Sequence, residues 1–353
     1  EKMYPRLLVD VNKLKSSLDA VAEITKEQGG CSLMIVTKGL CADPEMAKLV
    51  ANHPAVDYMA DSRVMNIRTY AEEARKNGKM TVLLRIPMHA EVADVVKYVD
   101  LSFNSELSTI RLLNEEAGKI GVKHNVLLML DLGDLREGIF YQNEDQIFEA
   151  VGEIIKMENI NLYGIGVNLT CYGAIIPKND NLSNLVAIAR KIEEKFGIRL
   201  EMVSGGNSSS IYLIGKGELP EGINNLRLGE SFLLGNDTAY GEKLPGTVSD
   251  TLVLEAQIVE LKEKPSLPIG EVGVDAFGQK PYYEDRGIIK RAIIAIGKQD
   301  TDIDSMEPLD EKIDILGGSS DHIILDVTKS DTEYKVGDVV RFVLGYGGML
   351  KTA

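Results

Sequence analysis

A strand-then-helix alternation, repeated eight times, constrains this chain more than any other feature. Short runs rich in Val, Ile, Leu and Met recur through its first two thirds: SLMIVT at 32–37, VDYMA at 56–60, MTVLLRI at 80–86, VDLSF at 99–103, NVLLMLD at 125–131, LYGIGVNL at 162–169, RLEMVS at 199–204 and NLRLGE at 225–230. Most of them do not alternate between apolar and polar residues, which is how strands covered on both faces read. A helical opening at 11–28 precedes them, and helix-like segments such as DPEMAKLVAN, ELSTIRLLNEEAGKIG and NLVAIARKIEEKFG stand between them. Eight such units in about 230 residues predict an α/β chain folded as a (β/α)8 barrel of the TIM type. An open doubly wound sheet is the runner-up, because alternation does not say whether the sheet closes.

The grammar changes near Pro245. TLVLEAQIVELKE, GIIKRAIIAIG, IDILGG, HIILDVT and VVRFVLGYG then follow one another between Gly, Pro and Asp turns, with hardly a helix. They predict a mostly β C-terminal domain, dividing the chain into a barrel at 1–237 and a β-rich domain at 238–353, hinged around Gly235 to Gly246. A length of 353 residues suits that division. Lys and Arg total 39 against 54 Asp and Glu, a net charge of −15, which excludes a general attraction to nucleic acid or anionic lipid. No apolar run is long enough to span a bilayer, and the opening EKMYPRLLVD lacks the layout of a signal peptide, so a soluble, cytoplasmic protein is expected. Cys31, Cys41 and Cys171 lack metal-ligand spacing, and the four histidines are scattered, so no metal is expected.

In such a barrel, catalytic groups stand at the C-terminal ends of the strands, and the loops after strands seven and eight commonly hold phosphate. Those ends carry Lys38, Asp61, Arg85, Asn104, Asp131 with Arg136 nearby, Asn168, the run Ser204-Gly205-Gly206-Asn207-Ser208, and Arg227-Leu228-Gly229-Glu230. Lys38 is the sharpest of these. Six mostly apolar residues lead directly to its amine, where desolvation lowers a lysine's pKa and frees its lone pair for bonding to an aldehyde. By position alone, a rim lysine reaching into water is the simpler reading. SGGNSSS offers glycines and hydroxyl donors at the start of a predicted helix, and RLGES offers a second glycine where backbone can approach an anion. With Lys38, the two loops suit a phosphate-bearing aldehyde such as pyridoxal 5′-phosphate; a sugar phosphate uses the loops and leaves the role of the lysine open.

IVTKGL, LDLGDLREGI, VSGGNSSS, LRLGES, RAIIAIGKQD, GGSSDHIILDV and FVLGYG resemble, in order and over nearly the whole chain, the alanine racemase superfamily of fold-type III pyridoxal-phosphate enzymes, and within it the alanine/ornithine racemase branch. The resemblance implies that Lys38 bonds to the cofactor and is the base on one face of the substrate Cα. It implies that Arg136 positions the cofactor ring oxygen and the substrate carboxylate, and that Arg227 faces the pyridine nitrogen. Ser208, Gly229 and Glu230 are expected around the phosphate, the last two through backbone N–H, with Tyr346 near them and Asn207 in the same loop as Ser208. Asn168 replaces the family's histidine after strand six. Ser320 and Asp321 match the part of the pattern that meets the substrate carboxylate. A guanidinium stays protonated, so a ring nitrogen facing Arg227 remains an acceptor, and the weaker electron sink limits side reactions.

Two departures bear on the chemistry. KGLCAD lacks the tyrosine that usually follows the cofactor lysine, and the second base, ordinarily a tyrosine from the partner subunit, aligns with Lys298. Asp300, Asp321, His322 and Tyr283 are its rivals from the same domain. Racemisation takes a proton from one face of Cα and returns it on the other, so a second acid–base group must oppose the first. The expected enzyme is a pyridoxal-phosphate-dependent amino-acid racemase, an isomerase, with Lys38 and Lys298 catalytic and its active site shared across a homodimer. Branch resemblance points to ornithine or a related basic amino acid. The alternatives are an alanine or broad-specificity racemase, a lyase or aldolase acting on D-amino acids, and a pyridoxal-phosphate-binding homeostasis protein without turnover, whose family lacks a second domain.

Overall fold

The computed structural model describes residues 3–40 and 43–353; Cys41 lies outside the described residues. Strand β1 (Arg6–Val9) and helix α1 (Val11–Ala22) open the chain. Two compact units follow from the contacts within the chain: Lys15–Thr247, and Val248–Ala353 together with the residues up to Leu14.

The first unit is built on β2 (Ser32–Val36), β3 (Tyr58–Asp61), β4 (Met80–Leu83), β5 (Leu101–Asn104), β6 (His124–Asp131) with the two-residue β7 (Ile139–Phe140) beside its end, β8 (Ile160–Val167), β9 (Met202–Ser204) and β10 (Asn225–Leu228). All neighbours are parallel. The ring closes because β10 pairs β2 from Asn225↔Ser32 to Leu228↔Ile35, and β5 pairs β6 from Leu101↔Asn125 to Asn104↔Leu128. That last pairing decides for the barrel over the open sheet. Inside it, Met34, Val36, Ala60, Val82, Leu101, Phe103, Leu127, Met129 and Met202 form one apolar cluster. Tyr58 and Tyr163 pack against that cluster and share a 2.8 Å hydroxyl–hydroxyl bond across the barrel. Their sequence neighbours Leu33, Ile35, Met59, Leu83, Val126 and Leu128 are equally buried, and the pleat turns these to the opposite face. Double burial is why the strand sequences do not alternate.

Between the strands run α2 (Pro44–Asn52), α3 (Val64–Lys76), α4 (Val92–Tyr98), α5 (Leu107–Ile120), α6 (Glu144–Ile154), α7 (Asn179–Phe196), the short α8 (Tyr212–Lys216) and the single turn α9 (Glu230–Leu233). Their starts follow capping chemistry: Asp43 accepts the N–H groups of Glu45 and Met46 at 3.0 and 3.1 Å, with Pro44 as the first helical residue of α2.

The second unit holds β11 (Leu252–Pro265), β12 (Ile288–Ile294), β13 (Met306–Pro308), β14 (Asp314–Gly318), β15 (Ile323–Asp326), β16 (Val339–Leu344) and α10 (Tyr346–Thr352). The order is β13-β16-β11-β12-β15-β14, antiparallel throughout, with β1 on β11. Leu254, Ala256, Ile258, Ala292, Ile294, Ile323, Leu325, Val340 and Phe342 are among its core residues. The structure parts from the expected division at 237/238 in two ways: the boundary falls after Thr247, and the N-terminal strand leaves the barrel sequence to pair with β11. A buried charge fixes that strand. The Glu255 carboxylate, 1% exposed, accepts from Arg6 Nε at 2.5 Å on one side and Arg341 Nε at 2.8 Å on the other.

Candidate active site

The C-terminal ends of the barrel strands carry the polar groups that the sequence singled out, but not all of them face the same way. Lys38 follows β2 as the first residue of a single 3-10 turn, Lys38–Leu40. Behind it, Thr37 Oγ1 lies 2.9 Å from Asp61 Oδ2 and 3.1 Å from the Tyr70 hydroxyl. Asp61 also accepts from the Arg63 N–H and Asn66 Nδ2, and burial outweighs these bonds and pushes its carboxyl up. It is a strut behind the lysine. Asn104 is turned into the wall too, donating to Ser102, and Arg85 is spent on Glu91 at 3.1 Å.

Arg227 is the buried cation of the site. It lies on β10, 4% exposed, with its guanidinium 5.1 Å from the centre of the Phe103 ring. Nη1 donates to Ser204 Oγ at 2.8 Å, and Nη2 donates to the Val167 carbonyl at 2.9 Å and to Asn168 Oδ1 at 3.2 Å. Burial pushes its pKa down to about 10, which still leaves it protonated at neutral pH. Asn168 Oδ1 also accepts from Asn207 Nδ2 at 2.9 Å, and Asn168 Nδ2 points to the Cys171 thiol at 2.9 Å. The loops after β8 and β9 are thereby tied to Arg227 through two amides.

Arg136 lies in the loop between β6 and β7. Its guanidinium makes a two-point ion pair with the next residue, Glu137, and the Nη2–Oε1 arm is 2.6 Å. Glu137 was not among the residues singled out from the sequence, although LDLGDLREGI contains it. The same loop buries Asp134, whose carboxylate accepts the backbone N–H groups of Cys171, Tyr172 and Ile175 in the loop after β8. Neither Asp134 nor Cys171 was read as a site residue; a carboxylate in a Gly- and Asp-rich loop gave no sign of what it would cap.

The two donor-rich loops meet. Ser208 Oγ is 3.0 Å from Ser231 Oγ and accepts the Ser231 N–H at 3.2 Å, which joins SGGNSSS to the turn that begins at Gly229 and Glu230. Ser209 Oγ, in the same loop, is fully buried and has no hydrogen-bond partner among the described residues. Glu230 is pushed up by burial and drawn back by Asn236 and by the charge of Lys38.

Lys298, Ser320, Asp321 and Tyr346 belong to the second unit. There Lys298 N–H donates to the Ser319 carbonyl at 2.9 Å, and Gln299 Nε2 and Ser320 Oγ donate to the two oxygens of Asp321. The Lys298 ammonium sits 4.5 Å from the centre of the Phe277 ring and 3.9 Å from Asp275. Tyr346 begins α10, and Lys351 of that helix donates to the Lys298 carbonyl. Of the rivals, Asp300 accepts the Gly297 N–H at 3.0 Å, the His322 N–H faces Ser319 Oγ at 3.3 Å, and Tyr283 is 42% exposed.

Residues 9–236 match the family model described as alanine racemase, N-terminal domain. This chain belongs to the alanine racemase family. Among its relatives, the ornithine racemase of Acetoanaerobium sticklandii is 57% identical over 99% of this chain and 97% of its own length. The lysine racemase of Thermotoga maritima is 37% identical over 99% of this chain and 96% of its own. An alanine racemase from Bartonella henselae, solved with covalently bound pyridoxal phosphate, superposes with a TM-score of 0.69 at 17% identity, over 98% of this chain and 91% of that one. The likeness in structure carries the alanine racemase fold, a closed parallel barrel with an antiparallel β unit. Among the described residues, no helix is long and apolar enough to cross a membrane.

Proposed function

We propose that this member of the alanine racemase family interconverts the enantiomers of ornithine, or of a related basic amino acid, using pyridoxal 5′-phosphate and two bases. That it is an amino-acid racemase, an isomerase, rests on its identity to two racemases across almost its whole length. The observation that carries the choice of a basic substrate is the 57% identity to an ornithine racemase over 99% of the chain.

The barrel residues fit the cofactor. A lysine in the turn after the first barrel strand, a buried guanidinium that stays charged, two donor-rich loops joined through Ser208 and Ser231, and the orphaned buried hydroxyl of Ser209 are the groups an anionic, pyridine-bearing aldehyde requires. Lys38 would hold it covalently, Ser208 with the backbone of Gly229 and Glu230 its phosphate, and Arg227 its ring nitrogen, with Asn168 and Asn207 bracing Arg227. When bound, the cofactor supplies the electron sink that makes the Cα proton of an amino acid removable. Arg136 orients the substrate carboxylate through a guanidinium already held flat by Glu137. Lys38 takes or returns the proton on one face of Cα. Lys298, supplied by the partner subunit of a homodimer, does so on the other face, with Ser320 and Asp321 beside the carboxylate. Lys298 is preferred over Asp321 and Asp300 because it aligns with the family's second base; both carboxylates already accept hydrogen bonds, and the Lys298 ammonium itself rests over the Phe277 ring 3.9 Å from Asp275.

The test is exchange of the Cα proton in deuterated water for ornithine, lysine and alanine, alongside borohydride fixation of the cofactor and mass analysis. Label on Lys38, with ornithine or lysine exchanging faster than alanine, is the expected result. Lys38→Ala and Lys298→Ala should each be inactive alone and regain activity when mixed, because a mixed dimer contains one site with both lysines. A protein that fixes no cofactor refutes the reading, and a Lys298→Ala variant with wild-type rates in both directions removes Lys298 from it.

A further inference from the structure

We propose that Glu137 is a positioning residue for this racemase: it sets the Arg136 guanidinium in the orientation that receives the substrate carboxylate. The proposal rests on the reading of Arg136 given above and adds the group on which that arginine depends.

Side chains of adjacent residues in extended chain point to opposite sides, so an arginine and a glutamate next to each other do not ordinarily meet. Here the backbone between β6 and β7 is bent until they do. Asp131 Oδ1 gathers the N–H groups of Gly133 and Leu135 at 2.8 and 3.1 Å, and Leu135 adopts a φ of +59°. Gly138 then has a φ of +121° and runs so close to the end of β6 that a Cβ would lie 2.5 Å from the Leu130 carbonyl carbon and 2.7 Å from the Asp131 nitrogen, both backbone atoms. On this frame both oxygens of Glu137 accept from Arg136, one from Nε and one from Nη2. That pairing uses one edge of the planar guanidinium and leaves the Nη1 edge, the other half of its donor fork, for a second carboxylate.

Burial sorts the pair. The Glu137 side chain is 17% exposed and that of Arg136 48%, so the carboxylate is the inner, anchoring member and the guanidinium the outer, presenting one. Burial pushes the Glu137 carboxyl up, but Arg136 outweighs it, with Arg227 adding to the downward pull, so Glu137 remains ionised beside Arg136. The rival reading, that Glu137 receives the side-chain ammonium of a basic substrate, is disfavoured because the Arg136 guanidinium already pairs with both of its oxygens and neutralises its charge.

A mutant cycle on the cofactor-loaded enzyme decides between them: wild type, Glu137→Gln, Arg136→Lys and the double variant, assayed with ornithine and with alanine. The same cycle is read without turnover, as the dissociation constant of propionate followed by cofactor absorbance. Glu137→Gln should lower kcat/KM about tenfold for both amino acids, chiefly through KM, and weaken propionate by a similar factor, the size of one charge-assisted bond's contribution. In the Arg136→Lys background the second substitution should change either quantity less than about threefold. An undiminished effect in that background overturns the proposal, as does a loss confined to ornithine, which assigns Glu137 to the side-chain ammonium. Failure of the underlying reading looks different: wild-type protein then takes up no cofactor before any residue is changed.

Discussion

Replacing Asp134 by Asn tests whether the loop after β6 holds the loop after β8 in its working shape. Asp134 is 1% exposed; its Oδ2 accepts the N–H groups of Cys171 and Tyr172 at 3.3 and 3.0 Å, and its Oδ1 accepts that of Ile175 at 3.0 Å. Thr170 and Ala174 in the clamped loop have φ of +57° and +53°, where a residue with a Cβ sits at a cost of about 1 kcal/mol or more. Gly173 lies so near that a Cβ would stand 2.6 Å from the Asp134 carbonyl oxygen. The clamp offsets that cost. An amide keeps one acceptor oxygen and turns an NH2 toward the remaining N–H, so one buried charge-assisted bond is lost, worth about 2 kcal/mol. At about 1.4 kcal/mol per factor of ten, local opening becomes roughly thirtyfold more frequent. Hydrogen exchange followed by mass spectrometry reads this directly: peptides over 169–176 should exchange about thirty times faster, while those over 124–131 keep their protection. Because Asn168 bridges this loop to Arg227, a fall in kcat/KM should accompany the change. Unchanged exchange at 169–176, or the same acceleration through the whole barrel, refutes the clamp.

His124, at the start of β6, is 2% exposed with Nε2 2.8 Å from Ser102 Oγ, and burial pushes its pKa down to about 4. A depressed folded-state value means the unfolded chain binds the proton first, so this contribution is complete above about pH 6.5 and fades as pH falls toward 4, by about 2 kcal/mol at pH 5. Proton NMR should show His124 neutral at pH 5; a midpoint near 6.5 contradicts the burial argument. Gly138→Ala should cost about 2–4 kcal/mol, since its φ and the three backbone atoms facing the new Cβ leave nothing that can give. Thermal melting of the loaded enzyme, with KM for ornithine, reads the cost and the displacement of Arg136 together, and a melting point within a degree of wild type sinks it.

The barrel was legible because parallel strands covered on both faces leave unbroken apolar runs, and eight of them appear in order. Closure was not, since an open sheet uses the same runs; only the β5–β6 pairing settles it. Strand β1 was missed because its four residues find their partner at Glu255 and its neighbours, far along the chain. At the site, polar residues at or near the ends of the apolar runs marked Lys38, Asp61, Asn104 and Arg227 alike, yet they part company in the structure. The division follows the period of two. Met34 and Val36 face the barrel interior, and Lys38 follows in the turn that leaves the strand; Ser204 continues the parity of Met202, and Arg227 reaches Ser204 and the inward Phe103 ring. Ala60 and Phe103 face inward, so the residues directly after them, Asp61 and Asn104, turn into the wall and are spent on Thr37 and Ser102. Parity was present in the sequence all along, but double burial removes the polar–apolar contrast that would announce which parity is the inner one. The same period explains why Glu137 stayed hidden: a rule that sends neighbours to opposite sides fails at a strand end bent by Asp131 and Gly138, and there the Arg136–Glu137 ion pair has formed.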